Sequence, residues 1–171
     1  MSILIRPALA ADIPSLADVE RSATGAFLAA PGLEWIADSE PTPPGFLQGC
    51  LEQGRLWVAD GERGVSGFLA AQAMDSHLFI VELSVALPSQ RRGIGTRLMA
   101  VVEAYARQLG VEALTLTTYR SLAWNAPYYA RLGFAEVAAA ELGESYVAKV
   151  AYEATCGHDP AQRCVMVKRL N

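Results

Sequence analysis

A glycine-rich segment near the middle of the chain carries residue types that can hold an anion. Gly93 and Gly95 lack a Cβ, so a charged group can approach the main chain closely there. Arg91 and Arg92 supply charge-assisted hydrogen-bond donors beside them. If a helix starts at this point, its free backbone N–H groups add partial positive charge. The segment Gln90–Thr96 therefore predicts a binding site for a phosphate-bearing ligand.

The elements on either side would place this segment at a helix N-terminus. His77–Val85 has the apolar, β-branched composition of a strand, and apolar residues recur with helical period from Ile94 to Leu109. The segment differs from two common phosphate-binding motifs. No Gly-Lys-Ser/Thr follows, as in a P-loop, and the third glycine of a dinucleotide fingerprint would fall at Leu98.

A second segment, Trp124–Phe134, has the composition of a short amphipathic helix with two tyrosines. Gly133 suits the position just after the end of such a helix. Asn125 suits the N-cap at its start. Neighbouring residues lie about 100° apart around a helix axis, so Tyr128 and Tyr129 should serve different purposes.

Together the two segments resemble the GNAT superfamily of N-acetyltransferases. Gln90–Thr96 resembles its acyl-CoA pyrophosphate loop, Q/R-x-x-G-x-G/A, and Trp124–Phe134 resembles its N…Y-x-x-x-G-F helix. The resemblance extends over nearly the whole chain and is most specific from Leu56 to Val137. It implies one GNAT acetyltransferase domain over residues 1–171, with acetyl-CoA as co-substrate and no metal.

The resemblance also implies roles for individual residues. Tyr129 matches the general acid that protonates the CoA sulfur, and a phenol is protonated at neutral pH. Glu82 matches an acidic position in Glu-Leu-x-Val and is the candidate base, acting through water. The cofactor-binding residues that the resemblance implies are Leu83, Val85, Gln90, Arg91, Arg92, Gly93, Ile94, Gly95, Thr96 and Asn125. The first two would hold pantetheine through their backbone, and Val85 would also donate to the oxyanion.

Tyr129, Glu82 and Asn125 each have a purely structural interpretation as well. Tyr129 could pack beneath its helix, and Glu82 could form a structural ion pair or lie on an open face. Asn125 could be the helix N-cap instead of a contact to CoA, because it precedes Tyr129 by only four residues. The residues alone favour neither role for Asn125.

The acceptor side is predicted from acidic and aromatic residues, which suit a cationic amine by charge and by cation–π contact. Some lie in the proline-rich segment Pro31–Gly45, and others lie around the second motif. The predicted substrate-binding residues are Trp35, Asp38, Tyr119, Trp124 and Tyr128. The acceptor could be a small amine, an amino acid derivative, a polyamine, an aminoglycoside or a protein N-terminus, and the sequence does not rank these.

The order of predicted elements indicates an α/β chain, layered as α+β. We expect a mixed, mostly antiparallel sheet of about six or seven strands flanked by helices, with the acyl-CoA loop between the fourth strand and the third helix. The other predicted strands are Ile3–Ile5, Leu56–Asp60, Val65–Ala73, Leu114–Thr118, Phe134–Ala138 and Arg163–Arg169. The other predicted helices are Asp12–Ala29, with Asp12 as N-cap, Phe46–Gln53 and Glu141–Thr155.

Composition limits the class of protein. The 171 residues are 52% apolar and 19% charged, which fits a compact domain and not a disordered chain. The net charge is −4 without a basic block, so we expect no nucleic acid partner. Apolar runs are too short for a membrane span, and no signal peptide is evident, so we expect a cytoplasmic protein without a membrane partner. A homodimer is possible, since dimers are frequent among relatives.

The three cysteines and two histidines form no metal-ligand spacing, so we expect reduced thiols and no metal. The sequence favours an N-acetyltransferase in which the amine attacks acetyl-CoA directly in a ternary complex. Two alternatives remain. One is a GNAT-shaped module that binds acyl-CoA without turnover, and the other is a site for another phosphorylated ligand such as a nucleotide. A longer acyl donor also remains possible.

Overall fold

The computed structural model describes residues 2–171. The chain folds into two compact units. The first unit contains residues 2–72 and Ile80–Tyr105, and the second contains Ala73–Phe79 and Ala106–Asn171. Among the described residues, no helix combines the length and the apolar character needed to cross a membrane.

Strands and helices follow one another in nearly the predicted order. The strands are β1 Leu4–Pro7, β2 Leu56–Gly61, β3 Gly64–Met74, β4 His77–Val85, β5 Ala113–Tyr119, β6 Ala135–Val137 and β7 Arg163–Arg169. The helices are α1 Ile13–Thr24, α2 Pro44–Glu52, α3 Ile94–Leu109, α4 Ala126–Arg131, α5 Ala139–Leu142 and α6 Glu144–Thr155. Short 3-10 turns occupy Ala10–Asp12, Gly25–Ala29, Glu34–Asp38 and Leu87–Ser89.

The seven strands form a sheet in the order β1-β2-β3-β4-β5-β7-β6. The pairs β1–β2, β2–β3, β5–β7 and β6–β7 are antiparallel. β4 and β5 are parallel, and in the described residues their register joins Leu78 with Leu114 and Phe79 with Thr115. These findings confirm the predicted α/β class with a mostly antiparallel sheet and flanking helices.

The core of the first unit forms where α1 and α2 pack on β2 and β3. Ile13, Leu16 and Val19 recur at helical spacing along α1, so they share one face and are buried together. Each fully buried side chain of this size contributes about 1.5–3 kcal/mol of stability. The other buried members of the cluster are Ala8, Leu47, Cys50, Leu56, Val58, Phe68 and Ala70.

Two predictions about the first unit need correction. The α-helical part of the first helix ends at Thr24, where glycine follows and the chain tightens into a 3-10 turn. Asp12 takes the N-cap position but makes no side-chain capping bond. Its carboxylate instead accepts hydrogen bonds from the Arg6 guanidinium, at 2.8 and 3.0 Å. The pKa of Asp12 is lowered chiefly by that hydrogen bond to Arg6.

The predicted helix Glu141–Thr155 is two helices, α5 and α6. Gly143 lies between them with φ +123°, a backbone conformation that an α-helix cannot contain and that glycine adopts without steric cost. A single residue therefore redirects the chain, and α6 then packs against β5 in the second unit.

The contact between β5 and α6 uses polar side chains within the core. The Tyr146 hydroxyl on α6 is 2.7 Å from Thr115 Oγ1 and 3.0 Å from Nδ1 of His77. Tyr146 and Thr115 are fully buried, and His77 is nearly so. Tyr146 and the exposed Tyr152, two tyrosines of the same helix, thus differ completely in their environment.

Replacing Tyr146 with phenylalanine should destabilise the protein without altering its fold. Tyr146→Phe leaves the buried polar groups of Thr115 and His77 without this partner, at a cost of about 1–3 kcal/mol. Tyr152→Phe on the same helix is the matched control, because that side chain is 63% exposed. It should change stability by less than about 0.5 kcal/mol. Urea unfolding of both variants checks this, and equal stabilities would contradict it.

Candidate functional site

The glycine-rich segment of the first unit follows β4 and leads into α3, as the sequence predicted. Between them the chain turns sharply, and Arg91 and Gly93 have φ values of +60° and +79°. Glycine adopts this left-handed conformation readily, whereas a side chain such as that of Arg91 makes it unfavourable. A conformation of this kind persists only where the surroundings impose it, and it is found more often at functional sites than elsewhere.

Neighbouring contacts impose this turn. Ile94 is 2% exposed and Leu98 is fully buried, so the first turn of α3 is held in the core. Gln90 Nε2 donates a hydrogen bond of 2.8 Å to the carbonyl oxygen of Val85, which fastens the turn to β4. The side chain of Gln90 therefore has a structural partner, and the side chain of Ile94 is part of the core.

The turn has the features of an anion site. α3 is 16 residues long, and the first N–H groups of a helix have no partner within the helix. Arg91, Arg92, Gly93 and Thr96 are exposed around this end of the helix, and Gly95 is half-buried. Two guanidinium groups and the helix N-terminus together favour a ligand with more than one negative charge.

Gly67 on β3 is a residue that the sequence analysis missed. A Cβ at this position would lie 3.0 Å from the carbonyl oxygen of Ser84 and 3.4 Å from Cγ2 of Ile94. β3 therefore lies close to the end of β4 and the start of α3, and a Cβ at Gly67 would fit only if its neighbours moved by a few tenths of an ångström. An isolated glycine inside a strand pattern is the signal that could have identified it.

Glu82, the predicted base, lies half-buried on β4. Ser84 Oγ donates a hydrogen bond of 2.8 Å to Glu82 Oε1, so the two side chains share one face of the strand as its period predicted. The flanking Leu83 and Val85 are half-buried too. β4 therefore places the Glu82 carboxylate next to the backbone N–H and C=O groups of Leu83 and Val85.

The predicted acceptor residues of the first unit lie on a short 3-10 turn. Trp35 is 39% exposed and Asp38 is exposed, while Ile36 between them is buried and anchors the turn. The segment that follows is fastened to α1 by a buried carboxylate. Glu20 accepts hydrogen bonds from the Thr42 backbone N–H at 2.8 Å and from its hydroxyl at 3.0 Å.

In the second unit, α4 carries the predicted general acid. Tyr129 is half-buried, and its ring centroid lies 5.8 Å from Phe134 and 5.2 Å from Tyr128. The Arg131 guanidinium lies 5.9 Å from the Tyr128 ring. Trp124, just before this helix, is 43% exposed.

Asn125 occupies the N-cap position of α4 but makes no side-chain capping bond there. Its side chain turns to β5, where Oδ1 accepts a hydrogen bond from Thr118 Oγ1 at 2.7 Å. Asn125 is only 9% exposed. The N-cap interpretation is thus correct for the position and wrong for the side chain.

Around Tyr119 the structure gathers residues that the sequence analysis did not connect. Tyr119 is 2% exposed, and its hydroxyl shares a short hydrogen bond with Nδ1 of His158. The Arg163 guanidinium lies 4.7 Å from the Tyr119 ring centroid and 3.1 Å from a Glu153 oxygen. Burial raises the pKa of Tyr119, and burial together with the Arg163 charge lowers the pKa of His158. Both rings of the pair are therefore held uncharged at neutral pH.

These partners come from positions far apart in sequence, so no local pattern predicted them. By sequence position alone, His158 stands near Cys156 and gives only a weak hint of metal binding. Across residues 2–171, no cluster of three or more histidine, cysteine or acidic side chains could hold a metal ion.

A sequence model of the acetyltransferase (GNAT) family matches residues 19–134, which include both motifs. The chain belongs to this family. The match spans more than half of the 171 residues, from α1 to the residue before β6.

Solved structures of acetyltransferases share the fold of this GNAT chain. PaiA N-acetyltransferase from Thermoplasma acidophilum, in complex with coenzyme A, is 17% identical with a TM-score of 0.72, over 99% of both chains. The ribosomal-protein-S18-alanine N-acetyltransferase of Escherichia coli is 16% identical with a TM-score of 0.69, over 99% of this chain and 95% of that one.

A third similar structure is N-acetylglutamate synthase from Neisseria gonorrhoeae, complexed with coenzyme A and N-acetyl-glutamate. It is 20% identical with a TM-score of 0.74, over 100% of this chain. The chain spans about a third (36%) of the length of the synthase chain. At these identities the likeness shows a shared fold.

Proposed function

We propose that this protein is an N-acetyltransferase that transfers the acetyl group of acetyl-CoA to a primary amine. The observation that carries the proposal is the exposed left-handed turn Arg91–Gly93 at the start of α3, in a chain of the GNAT family. In this turn the residues that match the family's pyrophosphate motif also have the charge and the backbone conformation that suit an anion.

In the proposed complex, the CoA pyrophosphate binds the backbone N–H groups of the turn, with Arg91 and Arg92 as charge-assisted donors. The pantetheine arm bonds to the backbone of Leu83 and Val85 along β4. Crystal structures of two similar proteins contain coenzyme A, which supports an acyl-CoA as the ligand. No metal enters the proposed reaction.

The proposed chemistry is a direct attack of the amine nitrogen on the thioester carbon. The C–N bond forms, the C–S bond breaks, and the CoA thiolate takes a proton from the Tyr129 hydroxyl, while the second proton that the amine nitrogen loses on forming the amide returns to the Tyr129 oxygen through solvent. An amine of the lysine type has a pKa near about 10.4, so it must lose a proton before it attacks. We propose that Glu82 takes this proton through water, and that the Val85 N–H donates to the oxyanion.

The acceptor is proposed to be a cationic amine, and aromatic and acidic side chains are its candidate contacts. Trp35, Asp38 and Trp124 are exposed, and Tyr128 is half-buried. Tyr119 would support this side from its buried position beside His158. Similar proteins include one named for an alanine acceptor on a ribosomal protein and one complexed with N-acetyl-glutamate. A panel of amines, amino acids and peptide N-termini, read by release of free CoA thiol, tests this class.

Acetyl-CoA should stabilise the wild-type protein, and Gly93→Val should abolish that response. A ligand that binds only the folded state adds about 2.7 kcal/mol at about 100 times its Kd. Valine at Gly93 is strained by the φ of +79° and places a branched side chain where the pyrophosphate is expected. Thermal unfolding with acetyl-CoA, CoA, ATP and NAD measures the response.

Gly110→Val is the matched control for that experiment. Gly110 follows the other end of α3, has a φ of +73°, and has no atom within 4 Å of an added Cβ, as is also true of Gly93. Both variants should lose similar stability, and only Gly93→Val should lose the response to acetyl-CoA. Stabilisation by ATP but not CoA would refute the proposal in favour of a nucleotide site.

Tyr129→Phe should lower turnover while leaving acyl-CoA binding nearly intact. Loss of a general acid typically costs about 10²–10⁴-fold in rate. The neighbouring Tyr128→Phe should raise the KM for the acceptor and have a much smaller effect on kcat. Steady-state kinetics with a good acceptor and titration of acetyl-CoA binding separate these effects. Full activity of Tyr129→Phe would show that the phenol is not the acid, and CoA binding without any turnover would indicate a non-catalytic module.

Glu82→Gln should lower kcat/KM near neutral pH, and the kcat/KM of this variant should recover as the pH approaches the pKa of the amine. The amide cannot accept the proton, but at high pH the acceptor is already deprotonated. Ser84→Ala should have the smaller effect, because it removes only the hydroxyl that donates a hydrogen bond to Glu82 and leaves the carboxylate in place. The pH dependence of kcat/KM for both variants tests this, and a wild-type profile for Glu82→Gln would exclude it as the base.

A further inference from the structure

Asn125 connects the end of β5 to the start of α4. Oδ1 of its side chain accepts two hydrogen bonds from the strand, from Thr118 Oγ1 at 2.7 Å and from the Tyr119 N–H at 3.2 Å. The side chain is buried, and a buried amide oxygen that lost both donors would be costly. Asn125 is therefore committed to β5 and not to the helix that it precedes.

The backbone of the same residue holds Tyr129. The carbonyl oxygen of Asn125 accepts the Tyr129 N–H at 3.0 Å, the first i to i−4 hydrogen bond of α4. α4 has only six residues, and helices this short are not stable on their own. Its placement must therefore come from contacts outside the helix, and Asn125 supplies such a contact at the turn that carries Tyr129.

From this arrangement we infer that Asn125 is a positioning residue that sets the location of the Tyr129 hydroxyl through β5. The inference rests on the proposed function, in which Tyr129 protonates the thiolate of CoA. A general acid acts only within hydrogen-bond reach of the atom it protonates. A misplacement of about 1 Å can cost about 10²-fold in rate, so a residue that anchors α4 affects turnover without touching substrate.

This role differs from the two that the sequence left open. A side-chain cap would bond to the N–H groups of α4, and Oδ1 bonds to β5 instead. A direct CoA contact would make acyl-CoA binding depend on Asn125. A positioning role predicts that binding is kept and that the loss of rate depends on the presence of the Tyr129 hydroxyl.

A double-mutant cycle on kcat tests the inference. Asn125→Ala should lower kcat about 10- to 100-fold in the wild-type background, by misplacing the acid. In the Tyr129→Phe background the same substitution should change kcat less than about 2-fold, because no acid remains to be misplaced. Acetyl-CoA affinity should stay constant throughout. Equal losses in both backgrounds, or weakened acetyl-CoA binding by Asn125→Ala, would overturn the inference.

Thr118→Val provides a second variant with a nearly isosteric change. It removes one of the two hydrogen bonds to Asn125 and keeps the bond from the Tyr119 N–H. It should lower kcat in the same direction but less than Asn125→Ala, with the same dependence on Tyr129. A Thr118→Val variant whose effect persists unchanged in the Tyr129→Phe background would count against the inference, even if Asn125→Ala failed to fold.

Hydrogen exchange separates this inference from the proposed function, because it needs no turnover. The Tyr129 amide should exchange at least about tenfold faster in Asn125→Ala, while the amides of β1 and β2 exchange as in wild type. Unchanged protection of the Tyr129 amide would overturn the positioning role, whatever the enzyme does. Faster exchange without turnover of any amine by the wild type would refute the proposed function and keep the link between β5 and α4.

Discussion

The hydrogen-bonding needs of β5 organise the second unit, because the threonine hydroxyl groups of this strand are buried or half-buried and need partners there. On one face of the strand, Thr115 bonds to Tyr146 and Thr117 bonds to Glu153. On the other face, Thr118 bonds to Asn125. The first two partners belong to α6 and the third precedes α4, so one strand sets the position of both helices. A buried polar network of this kind, when satisfied, favours one arrangement over others that bury the same apolar area.

The first unit relies on backbone conformation instead. A non-glycine residue in the left-handed region costs on the order of 1–3 kcal/mol, and Arg91 accepts this cost at the end of β4. The burial of Ile94 and the hydrogen bond from Gln90 to Val85 offset it. The strained turn thus belongs to the segment that is proposed to bind the pyrophosphate of an acyl-CoA.

The sequence was sufficient wherever a short pattern determines the outcome. The turn before α3 and the role of Gly133 just after α4 were predicted from glycine positions, and the strand Arg163–Arg169 was predicted with the bounds that it has. Partners from distant segments were not predictable in this way. His158 follows Tyr119 by 39 residues, and only the path of α6 brings the two rings together. Gly143 shows the same limit, since its break in the helix is decided by a backbone conformation that glycine permits but does not require.

The short length of α4 determines which contacts hold the Tyr129 side chain in place. A longer helix would hold Tyr129 through its own hydrogen bonds, and substitutions elsewhere would reach the phenol only by unfolding the domain. A helix of six residues has few internal hydrogen bonds, so contacts with β5 and with the Phe134 ring help to position the Tyr129 side chain. A reduced kcat after a change at Thr118 would then report on the position of Tyr129, the proposed acid, and not on a contact with substrate. In the proposed mechanism, residues that affect turnover therefore need not border the site of the reaction.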